Sequence, residues 1–134
     1  MAGYSSTPLA RKLGITPGDT VALVDGPDHL GEILAPLPDD VVIRHDLRAA
    51  VDVAVVFFTS RAAFRRRLGP LTRAIFPAGG AWVAWPKRAS GVPTDMTEDV
   101  VRAEALPLGV VDNKVCAIDD TWSGLRLVWR RENR

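Results

Sequence analysis

The residues best placed for chemistry lie between Gly79 and Glu98, GGAWVAWPKRASGVPTDMTE, where Lys87, Arg88, Ser90, Thr94 and Asp95 follow directly on the apolar run Ala81 to Trp85. A lysine leaving a buried strand can reach a phosphate or carboxylate. Ser90 and the backbone around Gly91 can add hydrogen bonds at close approach. Structural uses compete for the same residues: Ser90-Gly91 reads as a turn, and Asp95 with Glu98 has the spacing of an acidic capping box ahead of a helix from about Met96 to Leu106.

Other polar groups form weaker constellations. Thr59 or Ser60 ends the apolar run Val51 to Phe58 and can either cap a helix or meet a ligand. Asp25-Gly26 leaves Val21 to Val24 at the position of a ligand loop, without a Gly-x-Gly-x-x-Gly or Gly-Lys-Ser/Thr pattern. Asp112 and Lys114 fall on one face of a strand by alternation, with Cys116 beside them and Asn113 opposite. A thiol nucleophile needs a base, and neither His29 nor His45 is tied to Cys116 by spacing; two distant histidines and one cysteine form no zinc motif, and no metal ligands are assigned. Trp122, in Asp119 to Gly124, can cover a pocket or anchor a partner.

These groups must be positioned by an alternation of short helices and apolar strands. Thr7-Pro8 before LARKLG predicts a helix over roughly residues 8 to 13 with Thr7 as its cap and Gly14 at its exit. Val21 to Val24 reads as a buried strand and Val41 to Ile43 as a short one, while Val51 to Phe58 and Ala81 to Trp85 read as strands buried on both faces, with a short helix over Asp28 to Ala35. Phe64, Leu68, Leu71 and Ile75 recur at helical spacing and make one core-facing stripe. Val110 to Ile118 and Leu125 to Trp129 predict a terminal antiparallel hairpin. Trp82 and Trp85 point to opposite faces, and Trp129 packs in the core. The pattern is a small Rossmann-like α/β domain of three layers, with a mostly parallel sheet and a C-terminal antiparallel hairpin. The strand-helix-strand crossover places Thr59-Ser60 and Pro86-Lys87 at the same end of the sheet, where open α/β domains bind ligands.

Composition sets the bounds. A chain of 134 residues, 47% hydrophobic and 25% charged, is a single domain spanning residues 1–134 with one core. Seventeen basic against 16 acidic side chains leave a formal charge of +1, which disfavours nucleic acid as the partner. Arg61, Arg65, Arg66, Arg67 and Arg73 nevertheless share an acid-free segment that could form a basic patch. No apolar run reaches the roughly 20 residues that cross a bilayer, and a lone cysteine suits a reducing cytoplasm. Nothing in the sequence fixes the oligomeric state, and self-association is compatible with it.

The segments GYSSTPLARKLGI, AWVAWPKRASGVPTDMTEDVVR and LGVVDNKVCAIDDTWSGLRLVWRR together resemble an uncharacterised actinobacterial family of the DUF3052 type. That family carries no assigned reaction, and no residue roles transfer from it. The turn Phe76 to Gly80 feeding a strand, and the terminal hairpin, also resemble the later half of class I methyltransferases. This second resemblance implies S-adenosylmethionine as cofactor, with Asp25 and Gly26 bordering it and Asp46 in the place of the acid that ends the second strand. The loop Val24-Asp25-Gly26-Pro27 departs from the glycine-rich pattern of those enzymes.

Two functional expectations follow. One is non-catalytic recognition of a protein or small anionic ligand through Thr59, Lys87, Ser90, Asp95 and Trp122. The other is a divergent S-adenosylmethionine-dependent methyltransferase-like enzyme, for which the residues identify no catalytic base. A concave pocket beside Asp25 or Asp46 with room for adenosine separates the two.

Overall fold

A computed structural model describes residues 7–134. Six strands form one sheet in the order β2-β1-β3-β4-β6-β5: β1 (Thr20–Val24), β2 (Val42–Arg44), β3 (Val53–Phe57), β4 (Gly80–Pro86), β5 (Val110–Ala117) and β6 (Trp122–Trp129). The first four are mutually parallel, and β6 returns antiparallel between β4 and β5. β3 and β4 are buried at every position, as their unbroken apolar runs require when helices cover both faces.

α3 (Arg61–Ile75) and α4 (Glu98–Ala105) cover one face. There Phe64, Leu68, Leu71, Ile75, Val101 and Ala105 pack with Val56, Val83, Leu125 and Leu127 in one core. The Phe64 stripe thus does what its spacing predicts. The other face is covered by two much shorter helices, α1 (Leu9–Lys12) and α2 (Leu30–Leu34), whose Ala10, Leu13, Leu30 and Leu34 pack on Val21, Val55 and Trp82. Trp82 and Trp85 enter these two cores separately. The Trp82 indole N–H donates to the Leu13 carbonyl at 2.8 Å and so fastens the end of α1 to the middle of the sheet. Among the described residues no helix is long and apolar enough to cross a membrane.

Four local expectations need correction. The α4 cap is Thr97, whose hydroxyl accepts the Val100 N–H at 3.1 Å; Asp95 instead accepts the Arg61 N–H at 2.7 Å, because its loop lies against the start of α3. Pro8, and not Thr7, occupies the cap position of α1. Trp122 begins β6 instead of lying in a loop, since Asp119 accepts the backbone N–H groups of Thr121 and Trp122 and tightens the turn. Finally, a bulge between Asp112 and Lys114 breaks the alternation of β5. Asp112 pairs in register with Leu127 and Lys114 with Arg126, so the acid and the lysine face opposite ways. Asp112 then receives Arg102 Nε from α4 at 3.1 Å.

Candidate functional site at the carboxyl edge of the sheet

The chain leaves β1 toward β2 on one side and reaches β3 on the other, so the strand order reverses between β1 and β3. At such a reversal the connecting loops run apart beyond the strand ends and leave a crevice. Three adjoining concavities open there. One, of about 530 Å³, lies between the ends of β1 and β2 and α2, with Leu23, Leu30, Leu34, Leu37 and Ile43 as its apolar wall and Asp25, Asp28 and His45 as polar groups. A second, of about 440 Å³, lies over the end of β3 and includes Thr59, Arg66, Arg67 and Trp122. A third, of about 670 Å³, is bounded by the segment from His45 to Ala50 and by Arg67, Pro70, Arg73 and Ala74 of α3. Asp25 is common to the first two, His45 to the first and third, and Arg67 to the second and third.

These shared residues are held in place. Asp25 adopts φ +60°, a left-handed conformation that aspartate tolerates better than most residues, and its carboxylate lies 3.2 Å from Arg67 Nη2. His45 Nδ1 lies 3.1 Å from the Leu23 carbonyl. A carbonyl only accepts, so Nδ1 carries the proton and Nε2 is the ring nitrogen left for a ligand. Asp46 lines the 670 Å³ concavity and accepts the Arg48 N–H at 3.0 Å. Gly26 is the one point of close approach: a Cβ built there would stand 2.6 Å from Leu30 Cδ2 and 3.1 Å from the Phe57 ring. Packing against Leu30 and Phe57 therefore favours glycine at this position, and Gly26 lines the 530 Å³ concavity.

The predicted strand-end cluster is engaged internally. Lys87 Nζ donates to the Asp119 carbonyl at 2.8 Å, and Ser90 Oγ donates to the Lys87 carbonyl at 2.7 Å. Asp95 is taken by the start of α3, and Thr94 Oγ1 donates to the Thr59 carbonyl at 2.7 Å. Ser60 caps α3, accepting the Ala63 N–H at 3.1 Å. Thr59 and Trp122 come together at the crevice over β3, where Trp122 meets Phe57 edge to face at 5.0 Å. Lys87 and Ser90 do not line that crevice.

The arginine segment is not a uniform basic patch. Glu104 of α4 receives Arg61 Nε and Arg65 Nη2, each at 2.6 Å, and the Arg65 and Arg61 hydrogen bonds outweigh its partial burial and hold its carboxyl down at about 2. His29 Nε2 lies 2.8 Å from Asp119. Burial works to raise the Asp119 carboxyl, but the N–H of Trp122, the His29 ring and the N–H of Thr121 prevail and lower it. Cys116 is half-buried on the face of α1, and burial raises its thiol above the ordinary range, the opposite of an activated nucleophile. Sequence reasoning missed His45 and Arg67 as members of the site. The signal for His45 was its place just past β2; Arg67 carried no local signal, because its partner lies in another loop.

No protein-family model matches this chain, and no curated protein matches it. The DUF3052-type resemblance therefore gains no support, while the fold-level resemblance does. A SAM dependent methyltransferase from Aquifex aeolicus has a similar structure, with a TM-score of 0.62 at 15% identity over 89% of this chain and 86% of the other. A DhpI-SAH complex matches with a TM-score of 0.59 at 12% identity, over 92% of this chain and 83% of the other. A putative type 11 methyltransferase from Sulfolobus solfataricus matches with a TM-score of 0.59 at 12% identity, over 91% and 89%. At such identities the likeness establishes the Rossmann-like methyltransferase fold and leaves the chemistry to the residues of this chain.

Proposed function

We propose that this chain is a divergent member of the methyltransferase fold that holds an adenosyl ligand of the S-adenosylmethionine type in the slot between β1, α2 and β2. The observation that carries this reading is the composition of that slot: five aliphatic side chains wall about 530 Å³, with Asp25, Asp28 and His45 beside them. Such a space suits a flat, uncharged base with polar hydroxyls at one end, and its volume is within the range of small-molecule sites. His45 Nε2 is available to accept from a hydroxyl or an exocyclic amine, and the Asp25 and Asp28 carboxylates complement a positive centre.

The fit is partial and instructive. The loop carries one glycine, Gly26, where the family pattern has several, and a side chain there would meet Leu30 and Phe57. Recognition then falls on the apolar wall and the side chains. When bound, S-adenosylmethionine supplies a methyl group activated by a sulfonium. The chain's own part is to exclude water with Leu23, Leu34 and Ile43, to orient the ligand through His45 and Asp25, and to hold Asp25 in place through Arg67.

Thermal stability in the presence of S-adenosylmethionine, S-adenosylhomocysteine, adenosine and unrelated phosphorylated metabolites tests the reading. A ligand at one hundred times its Kd adds about 2.7 kcal/mol by mass action, a rise of about 8 °C in a domain of this size. The adenosyl compounds are expected to give that rise and the others none. No shift with any adenosyl compound at millimolar concentration contradicts the reading.

A further inference from the structure

We infer that the crevice over the end of β3 is a second ligand site, built for a small aromatic carboxylate, with Arg66 and Arg67 as its charge partners and Trp122 as its wall. Presence of this site does not depend on the adenosyl reading. Phe57, Phe58, Ala63 and the Trp122 ring supply the apolar part of its lining, in a half-open space of about 440 Å³. Its rim is polar, with Thr59, Arg66, Arg67 and Asp25.

Three of these polar groups are unspent. Trp82 and Trp129 give their indole N–H groups to the Leu13 and Thr72 carbonyls, each at 2.8 Å, whereas the Trp122 indole N–H has no partner among the described residues. Thr59 uses its carbonyl for Thr94, and its hydroxyl has no partner among the described residues. Arg61 and Arg65 share the Glu104 carboxylate, but Arg66, one residue further along α3, has no acidic partner among the described residues. With Arg67 matched to Asp25, the crevice keeps one positive charge in excess.

A guanidinium presents paired N–H donors that match a carboxylate in one plane, and an indole face or edge packs against a ring better than against a solvated tetrahedral ion. Inorganic phosphate would satisfy the charge but leave the aromatic wall empty. Because the crevice and the adenosyl slot have Asp25 in common, two ligands would lie side by side along the sheet edge.

Calorimetric titration of the full chain with benzoate, benzamide and inorganic phosphate tests the site, with S-adenosylhomocysteine titrated separately. Saturable one-to-one binding of benzoate is expected, with benzamide and phosphate at least about tenfold weaker, the loss that follows from removing a charge-assisted bond or the ring contact. Arg66→Met and Trp122→Leu are each expected to weaken benzoate by a similar factor, whereas Arg88→Met, outside the crevice, should leave it unchanged. Absence of saturable benzoate binding, equal affinity for benzamide, preference for phosphate, or an unaltered benzoate affinity in Arg66→Met overturns the inference. Benzoate binding without S-adenosylhomocysteine binding removes the adenosyl reading and upholds this site; the converse result does the reverse.

Discussion

Arg67 reaches from the middle of α3 to within 3.2 Å of Asp25, the first residue after β1, and so ties the longest helix to the loop that begins the carboxyl edge. Both side chains are substantially exposed, which limits what the pair contributes to folding. An Arg67→Met variant is expected to change unfolding free energy by less than about 1 kcal/mol in urea denaturation. A larger loss would mean that the pair holds the domain together and does more than position Asp25.

Glu104 gives the fold a pH dependence with a definite sign. Its folded-state value of about 2 lies below the ordinary 4.5, so the folded protein takes up its proton later than the unfolded chain does. The stabilisation is therefore complete above pH 4.5 and is lost as pH falls toward 2. A Glu104→Gln variant should be less stable than wild type at pH 7, with the difference shrinking through that window. Parallel stability curves from pH 7 to 2 would contradict the assignment.

Trp82 is fully buried and donates to the Leu13 carbonyl, so Trp82→Phe removes a donor and leaves a buried acceptor unpaired as well as a small void. The expected cost is about 2 kcal/mol. Hydrogen exchange should locate the effect, with amides of Leu9–Lys12 exchanging faster than those of α3 in the variant.

Gly79 has no room for a side chain. A Cβ there would stand 2.7 Å from the Val51 carbonyl oxygen and 3.0 Å from that of Asp52, both backbone atoms that cannot rotate away. Gly79→Ala is expected to cost about 3 kcal/mol and to lower Tm by about 10 °C. By contrast Gly31→Ala, where a Cβ meets nothing within 4 Å, should be neutral or stabilising because alanine favours the helix.

Much of the fold was legible because apolar periodicity is a local signal. Val53 to Phe57 and Ala81 to Trp85 announce fully buried strands by composition alone, and the Phe64 stripe fixes which face of α3 meets the sheet. The terminal antiparallel hairpin was legible too, whereas the insertion of β6 between β4 and β5 was not. What stayed hidden depends on contacts distant in sequence. Nothing near Asp95 shows that its carboxylate serves the start of α3 instead of α4, and the bulge that separates Asp112 from Lys114 leaves no residue signature. The candidate site shows the same division: Asp25, Gly26, Asp46, Thr59 and Trp122, each singled out in the sequence, line its concavities, while Arg67 meets Asp25 only through folding. Lys87 and Ser90, the most conspicuous polar residues of the sequence, spend their polar atoms on the Asp119 turn and on each other.

The central claim is that the slot between β1, α2 and β2 holds an adenosyl ligand. Gly31 lines this slot, and a Cβ built there meets nothing within 4 Å, so Gly31→Phe is a substitution the backbone can accept that adds bulk at the slot. Isothermal titration of S-adenosylhomocysteine into wild type and Gly31→Phe, with circular dichroism confirming that both are folded, is the most direct measurement. The account predicts saturable one-to-one binding by wild type and an affinity at least about tenfold weaker in the variant, as expected for a blocked apolar pocket. No saturable binding by wild type, or equal affinity in both proteins, would contradict it.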